Sequence, residues 1–354
     1  MNLEFLGWNE FFLNSFRDFE DQNVIVGRVM FEHKRLYRIM TEFGELLGSL
    51  AGKIHFSARM RDDFPAIGDW VVLRPLLKEK KATIEAILPR KSKFSRKSAG
   101  ETTEEQIVAA NIDTVFLVSA LNGEFNLRRI ERYLVLAWES GARPVILLNK
   151  ADLCTEIDSY LEQIEEIAYG IPVHPISALH QKGLDELNHY LLKGQTIALL
   201  GSSGVGKSTL LNRLIGLDVQ KTNEVRSKDD RGRHTTTSRE IFPLPSGACI
   251  IDTPGMRELQ LWESNNGIAE AFDDIYALAN ACYFRNCTHI HEPNCAVKKA
   301  MESGSLTKER FENYLKMMKE LTYLEKRLDK RELQIEKQDL KRIHRAMRAS
   351  RKKR

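Results

Sequence analysis

The spacing of apolar residues changes character along this chain, and each change predicts a different kind of element. Residues 1–20 gather Leu6, Trp8, Phe11, Phe12, Phe16 and Phe19, which predicts a short helix packed on a neighbouring domain. From Val24 to Arg90 short alternating runs take over, among them Val24–Val29, Leu36–Ile39, Asp69–Leu73 and Thr83–Leu88, separated by glycines and other turn residues. Five such strands predict a small closed antiparallel barrel of the OB type over residues 21–92. Lys91–Gly100 is basic and serine-rich, and it predicts a mobile linker, bounded here as 93–108. Farther on, Thr114–Val118 and Pro144–Leu148 have the continuous apolar texture of buried strands. Helical periodicity covers Leu127–Glu139, Ile157–Ile167 and Leu184–Leu192. Then comes a strand at Ile197–Leu200 and a helix at Thr209–Ile215. Strands and helices that alternate in this way predict a parallel sheet covered on both faces, spanning 109–262. From Thr307 the chain reads as a charged helix whose apolar face is Phe311, Tyr314, Leu315, Met318, Leu321 and Leu324, within a last domain of 263–354.

Between the strand at 197–200 and the following helix lies Gly201-Ser202-Ser203-Gly204-Val205-Gly206-Lys207-Ser208. A glycine-rich turn between strand and helix presents backbone N–H groups and the positive end of the helix dipole to phosphate oxygens. In that loop Lys207 neutralises the terminal phosphates, the Ser208 hydroxyl holds magnesium, and Thr209 completes the cradle. The pattern predicts a bound nucleoside triphosphate.

The strand at 144–148 runs into Asn149-Lys150-Ala151-Asp152. Ligands in open parallel sheets sit at the carboxyl ends of the strands, so this motif faces the same crevice. A carboxylate at Asp152 accepts two hydrogen bonds from the N1–H and exocyclic amine of guanine, donors that adenine does not offer together. Asn149 ties the loops, the Lys150 stem covers the base, and Ser177-Ala178 offers a backbone N–H to the guanine oxygen. Downstream, Cys249–Gly255 is a strand entering Asp-x-x-Gly, where Asp252 reaches magnesium through water and the Gly255 N–H senses the γ-phosphate. The polar loop Lys228–Thr237 supplies three threonines, of which Thr236 is expected to complete the magnesium shell.

Composition adds less. A chain of 354 residues with 42% apolar and 29% charged residues has room for two or three domains. Net charge is only +4, but from Lys341 onward every charged residue is basic, which suits either a polyanion-seeking tail or a solvated helix end. No apolar run is long enough to cross a bilayer and the N-terminus lacks a secretory signal, so the expectation is a cytoplasmic protein without a membrane partner. Three of the five cysteines cluster in Cys282-x4-Cys287-x-His289-x5-Cys295. Three thiolates and an imidazole in a short loop describe a closed, structural zinc site, with His291 a competing imidazole.

All five elements of a guanine-nucleotide switch are present, but the base-reading pair precedes the phosphate loop. That order is circularly permuted, and with the barrel and the cysteine cluster it resembles the RsgA (YjeQ) family of circularly permuted ribosome-assembly GTPases. The resemblance covers most of the chain. It implies GTP hydrolysed to GDP, a small-ribosomal-subunit partner contacted through its rRNA, a monomer, and His289 as the fourth zinc ligand. Independently of the resemblance, the basic barrel residues Arg28, Lys34, Arg35, Arg38, Lys53, Arg59 and Arg61 suit either RNA contact or a merely solubilising surface, and RNA contact is the expectation. Where many GTPases carry a water-orienting glutamine this chain has Met256. The nearest replacement is His234; chemistry alone leaves it equally a solvent-exposed loop residue, and the resemblance implies the catalytic role.

Overall fold

A computed structural model describes residues 2–33, 36–57, 61–97, 105–123, 125–216, 240–252 and 266–326. The alternating first third forms strands β1 (Ile25–His33), β2 (Leu36–Thr41), β3 (Gly44–Leu50), β4 (Trp70–Leu76) and β5 (Lys81–Ile87). They pair in the order β1-β2-β3-β5-β4, and β4 returns to β1, so the barrel closes. Only β3 and β5 run parallel. Inward residues Val29, Tyr37, Ile39, Leu46, Val71, Leu73, Ala82 and Ile84 form one buried cluster, as a period of two requires. The N-terminal segment behaves as expected. Its helix α1 (Glu10–Phe16) is capped by the Asn9 side chain, and Trp8 and Phe12 lie 4.8 and 5.7 Å from the ring of Trp70 on β4. The other helix of this third, α2, is short (Gly52–Ser57).

The expected linker is instead largely a hairpin. Strands β6 (Lys93–Lys97) and β7 (Glu105–Ala110) pair antiparallel, with Phe94 and Val108–Ala110 buried. β6 carries one apolar residue, Phe94, among Lys93, Ser95, Arg96 and Lys97, so its composition hid the strand.

The rest of the sheet contains β8 (Thr114–Ala120), β9 (Arg143–Asn149), β10 (Val173–Pro175), β11 (Thr196–Leu200), β12 (Glu240–Pro243) and β13 (Cys249–Asp252). Their spatial order is β10-β9-β8-β11-β13-β12, parallel except for β12, which runs antiparallel to β13 and pairs on its other side with β1 of the barrel. Phe116, Val118, Val145, Leu147, Ile197 and Leu199 pack in one cluster with Leu210 and Leu211 of α5 (Lys207–Ile215). The alternate residues Val115, Leu117, Ile146, Leu148, Ala198 and Leu200 are equally buried, so both faces are covered. Helices α3 (Leu127–Ser140) and α4 (Ile157–Glu165) fall where periodicity placed them. The helix expected at 184–192 is only a 3-10 turn, Asp185–His189. Gly183 and Gly194 bracket it in left-handed conformations, and the stretch between them must return to β11, which the longer rise of a 3-10 turn helps it do.

Arg28 corrects a sequence expectation. It is 1% exposed and donates to Gly68 O, Leu6 O, Thr196 Oγ1 (2.8 Å) and Asn111 O (3.1 Å). A guanidinium engaged on four sides cannot reach RNA; it joins barrel, N-terminal segment and the phosphate-loop strand. Arg38 and Lys53 pair with Glu240 and Glu85, while the side chains of Lys34, Arg35, Arg59 and Arg61 lie outside the described residues. Arg28→Leu should strand these buried acceptors and cost about 3 kcal/mol in urea unfolding, because each orphaned group carries its own desolvation penalty. A midpoint unchanged from wild type would contradict that role.

Residues 1–97, 104–260 and 264–273 cluster as one compact unit and 274–354 fall in another. The first also holds α6 (Asn266–Ala271). In the second, α7 (Asp273–Asn280), α8 (Ala296–Ser303) and α9 (308–326) bury Ile275, Val297, Phe311, Met317 and Leu321. Arg310 grips Asp274 with two bonds of 2.9 and 2.7 Å.

Candidate functional site

Strand β11 ends at Leu200, and α5 begins at Lys207 with Ser208 and Thr209 in its first turn. Gly206, at the N-cap, has φ +97°, and a Cβ there would lie 2.2 Å from Asn149 Nδ2. Both the torsion and the space require glycine. Buried Val205 anchors the turn, while Ser203 and Gly204 are exposed at its tip. The Lys207 ammonium donates to the Gly201 and Ser202 carbonyls at 2.6 and 2.5 Å, which places its charge at the loop.

The Asn149–Asp152 and Ser177–Ala178 segments meet this loop directly. Asn149, buried at the end of β9, donates from Nδ2 to Val205 O (2.7 Å) and accepts at Oδ1 from Ala178 N (3.0 Å). One amide therefore joins the phosphate loop to the Ser177-Ala178 segment. Lys150 takes a left-handed φ of +64° and turns the chain into the 3-10 turn Ala151–Leu153 that carries Asp152. The Ser177 hydroxyl, assisted by a backbone N–H, His180 and Lys182, holds the Asp152 carboxyl below the usual aspartate range. Asp152 is thus ionised at neutral pH, an acceptor for two N–H donors.

Two contributors escaped the sequence reading. His180 Nε2 lies 3.6 Å from Asp152 Oδ2, on a loop closed by reciprocal Ser177–Lys182 backbone bonds of 2.9 and 3.1 Å. Arg213 of α5 donates to Leu179 O (3.2 Å), a second link between phosphate helix and base loop. Neither belongs to a spaced motif; only the folded loop brings them in. Asp252 closes β13, which pairs in parallel with β11, so its backbone ends on the same sheet edge. The Asp252 side chain, Gly255, Met256, His234 and Thr236 lie outside the described residues.

In the second unit Cys282, Cys287, His289 and Cys295 place their ligand atoms within 4.8 Å of one another. Cys282 Sγ is 3.8 Å from Cys295 Sγ, and His289 Nδ1 is 3.6 and 3.4 Å from those two sulfurs. A tetrahedral ion with ~2.3 Å bonds to sulfur and ~2.1 Å to nitrogen sets ligand atoms about 3.5–3.8 Å apart, close to these three separations. Burial lowers the His289 pKa and favours the neutral, ligating imidazole. Around it, Glu292 accepts from Thr288 N (2.9 Å), Thr288 Oγ1 (2.6 Å), Ile290 N and His291 N (both 3.2 Å). The Thr288 hydroxyl and these N–H groups hold the Glu292 carboxyl down at about 2, so the clamp persists across the physiological range. Asn294, just before the last cysteine, takes a left-handed φ of +57°.

Comparison with known proteins decides the family. The RsgA GTPase family matches residues 87–262. The small ribosomal subunit biogenesis GTPase RsgA 2 of Lactiplantibacillus plantarum is 47% identical over 304 residues, covering 86% of this chain and 85% of that one. This chain belongs to the RsgA GTPase family. The RsgA protein of Opitutus terrae is 42% identical over 359 residues, covering 99% and 98%. Among solved structures, YjeQ from Thermotoga maritima superposes with a TM-score of 0.62 at 30% identity, over 84% of this chain and 99% of that one. YloQ, described as a circularly permuted GTPase, gives 0.59 at 25%, over 86% and 96%. A second family, the 50S ribosome-binding GTPases, matches residues 196–341 and so begins at the phosphate-loop strand, with the base-reading motif left behind it. The permuted GTPase architecture and the closed barrel expected of an RsgA protein are both present. No helix among the described residues is long and apolar enough to cross a membrane.

Proposed function

We propose that this protein binds GTP with magnesium, hydrolyses it to GDP and phosphate, and acts in late maturation of the small ribosomal subunit, which accelerates the hydrolysis. The observation that carries the reading is Asn149. Its two bonds, to Val205 O and from Ala178 N, put the base-reading and phosphate-binding segments into one cleft despite their inverted order. The relatives named small ribosomal subunit biogenesis GTPases supply the partner.

In this reading Gly201–Gly206 and Thr209 cradle the phosphates, and Lys207 neutralises them. Asp152 selects guanine, Lys150 lies over it, and Ser177 and Ala178 close the pocket. Ser208, Asp252 and Thr236 hold magnesium, whose charge offsets that developing on the phosphate oxygens. Gly255 senses the γ-phosphate, and His234 orients the attacking water. Cys282, Cys287, His289 and Cys295 hold one structural zinc. The working division is a barrel over 21–92, a GTPase domain over 109–262 and a zinc-carrying domain over 263–354, in a cytoplasmic monomer that reaches rRNA within the subunit.

The decisive experiment is the GTPase rate with and without purified small subunits. Strong acceleration is expected with subunits and none with isolated rRNA. Equal rates in all three reactions would overturn the reading, and stimulation by free rRNA would recast the protein as a non-ribosomal RNA switch. His234→Ala should lower the subunit-stimulated rate by about a hundredfold, the scale of a lost proton-handling or water-orienting group, with GDP affinity unchanged. An unaltered stimulated rate would remove His234 from the mechanism.

A further inference from the structure

Helix α3 bears on the phosphate loop through a residue that belongs to none of the nucleotide motifs. The Asn126 side chain caps the helix at Arg129 N, and Ile130, Leu134 and Ala137 are almost completely buried, so its rotation about its own axis is fixed. That rotation brings the Tyr133 hydroxyl to 3.3 Å from Ser202 Oγ. The Ser202 carbonyl accepts the Lys207 ammonium at 2.5 Å. One loop residue is therefore held by its side chain to α3 and by its backbone to the lysine that meets the phosphates. The helix itself is braced from another direction. At Gly267 of α6 a Cβ would fall 2.7 Å from Val135 O and 3.0 Å from Glu139 Cβ, so a side chain there would force the two helices apart. Glycine lets α6 lie directly on α3.

We propose that Tyr133 is a positioning residue for the phosphate loop: its hydroxyl pins Ser202 to α3 and so fixes the carbonyl on which Lys207 rests. Half-buried beside the loop, the ring alone would fill the same space in a phenylalanine; only the hydroxyl makes the link. A loop tethered in this way keeps its N–H groups and its lysine in register with the phosphates, and a loosened loop loses part of that pre-organisation. The inference rests on the nucleotide-binding reading above and adds a determinant from a helix that the motifs do not include.

The test is a double-mutant cycle on nucleotide release. Wild type, Tyr133→Phe, Ser202→Ala and the double variant are loaded with a fluorescent GDP analogue, and its dissociation is followed by stopped flow. Each single variant should release the nucleotide roughly three- to tenfold faster, the range of one neutral hydrogen bond, and the double variant no faster than the singles. Melting temperature serves as the control and should stay at the wild-type value, because neither change removes buried apolar volume. Release from Tyr133→Phe at the wild-type rate would overturn the proposal, as would effects that multiply in the double variant. Failure of the wild type to bind the analogue would instead sink the guanine-nucleotide reading, and this inference with it.

Discussion

Replacing Asp152 with asparagine is expected to shift the protein from guanine to xanthine nucleotides. The carboxylate sits on the turn after β9 and is kept ionised by the Ser177 hydroxyl, a backbone N–H and the neighbouring His180 and Lys182. In the proposed reading that carboxylate accepts from both guanine N1–H and the 2-amino group. An asparagine in the same place keeps one acceptor and sets an NH2 against the guanine amine, donor to donor. Leaving a charge-assisted pair mismatched costs about 2–5 kcal/mol. At ~1.4 kcal/mol per decade this weakens GDP roughly 30- to 5,000-fold. Xanthine carries a carbonyl where guanine has its amine, so the same NH2 becomes a partner. Asn149, which ties the loops together, is untouched, so the phosphate cradle should survive. Displacement titrations with GDP and XDP read the outcome directly, and equal GDP affinity in wild type and Asp152→Asn would show that Asp152 does not read the base. The pH dependence has a definite sign. A carboxyl whose folded pKa is depressed acts in full at neutral pH, and its contribution falls away only as pH drops through that lowered value. GDP affinity should therefore be flat near neutrality and decline below the ordinary aspartate range.

How much of this site could be read from the chain depends on how local each part is. Gly201–Ser208 is legible because strand, turn and helix are contiguous, and the cysteine cluster because its ligands lie within one short loop. Asn149 is an intermediate case. Its motif is visible, yet its bond to Val205 spans 56 positions and depends on β8 lying between β9 and β11 in the sheet. Arg28 marks the limit. Composition offered it as a surface cation for RNA, whereas its partner Thr196 lies 168 positions away and could be found only by closing the barrel against the sheet. His180 and Tyr133 fail for the same reason: each reaches the site from a loop or helix whose orientation is set by burial elsewhere. The pairing of β6 with β7 is hidden differently, because β6 offers only Phe94 as an apolar residue among basic and serine neighbours. Chain order itself proved a weak guide, because a parallel sheet brings strand ends to one edge whichever strand comes first.

The largest stability effect is expected at the metal cluster. Between α7 and α8 the chain has only turns, and Tyr283, Phe284 and Ile290 point outward, so this segment buries too little to hold its own shape. Zinc bound by three thiolates and an imidazole contributes on the order of 10–16 kcal/mol in comparable small folds, far more than the Glu292 clamp can supply. Cys295 separates metal binding from packing. Its sulfur lies among the ligand atoms and also caps α8, accepting from Lys298 N at 3.4 Å. Serine is a good N-cap, so Cys295→Ser should preserve the cap and lose the soft ligand. The variant should purify with well under one equivalent of zinc, lose helical signal, and be cleaved by protease between 282 and 295. Treating the wild type with a strong chelator should reproduce those changes. With the chelator removed and magnesium restored before titration, GDP affinity should stay at the wild-type value in both cases, since the proposed nucleotide residues belong to the other compact unit. Retention of stoichiometric zinc by Cys295→Ser would place the ion on other ligands. Loss of zinc with no change in proteolysis would show that the segment holds its shape through packing alone.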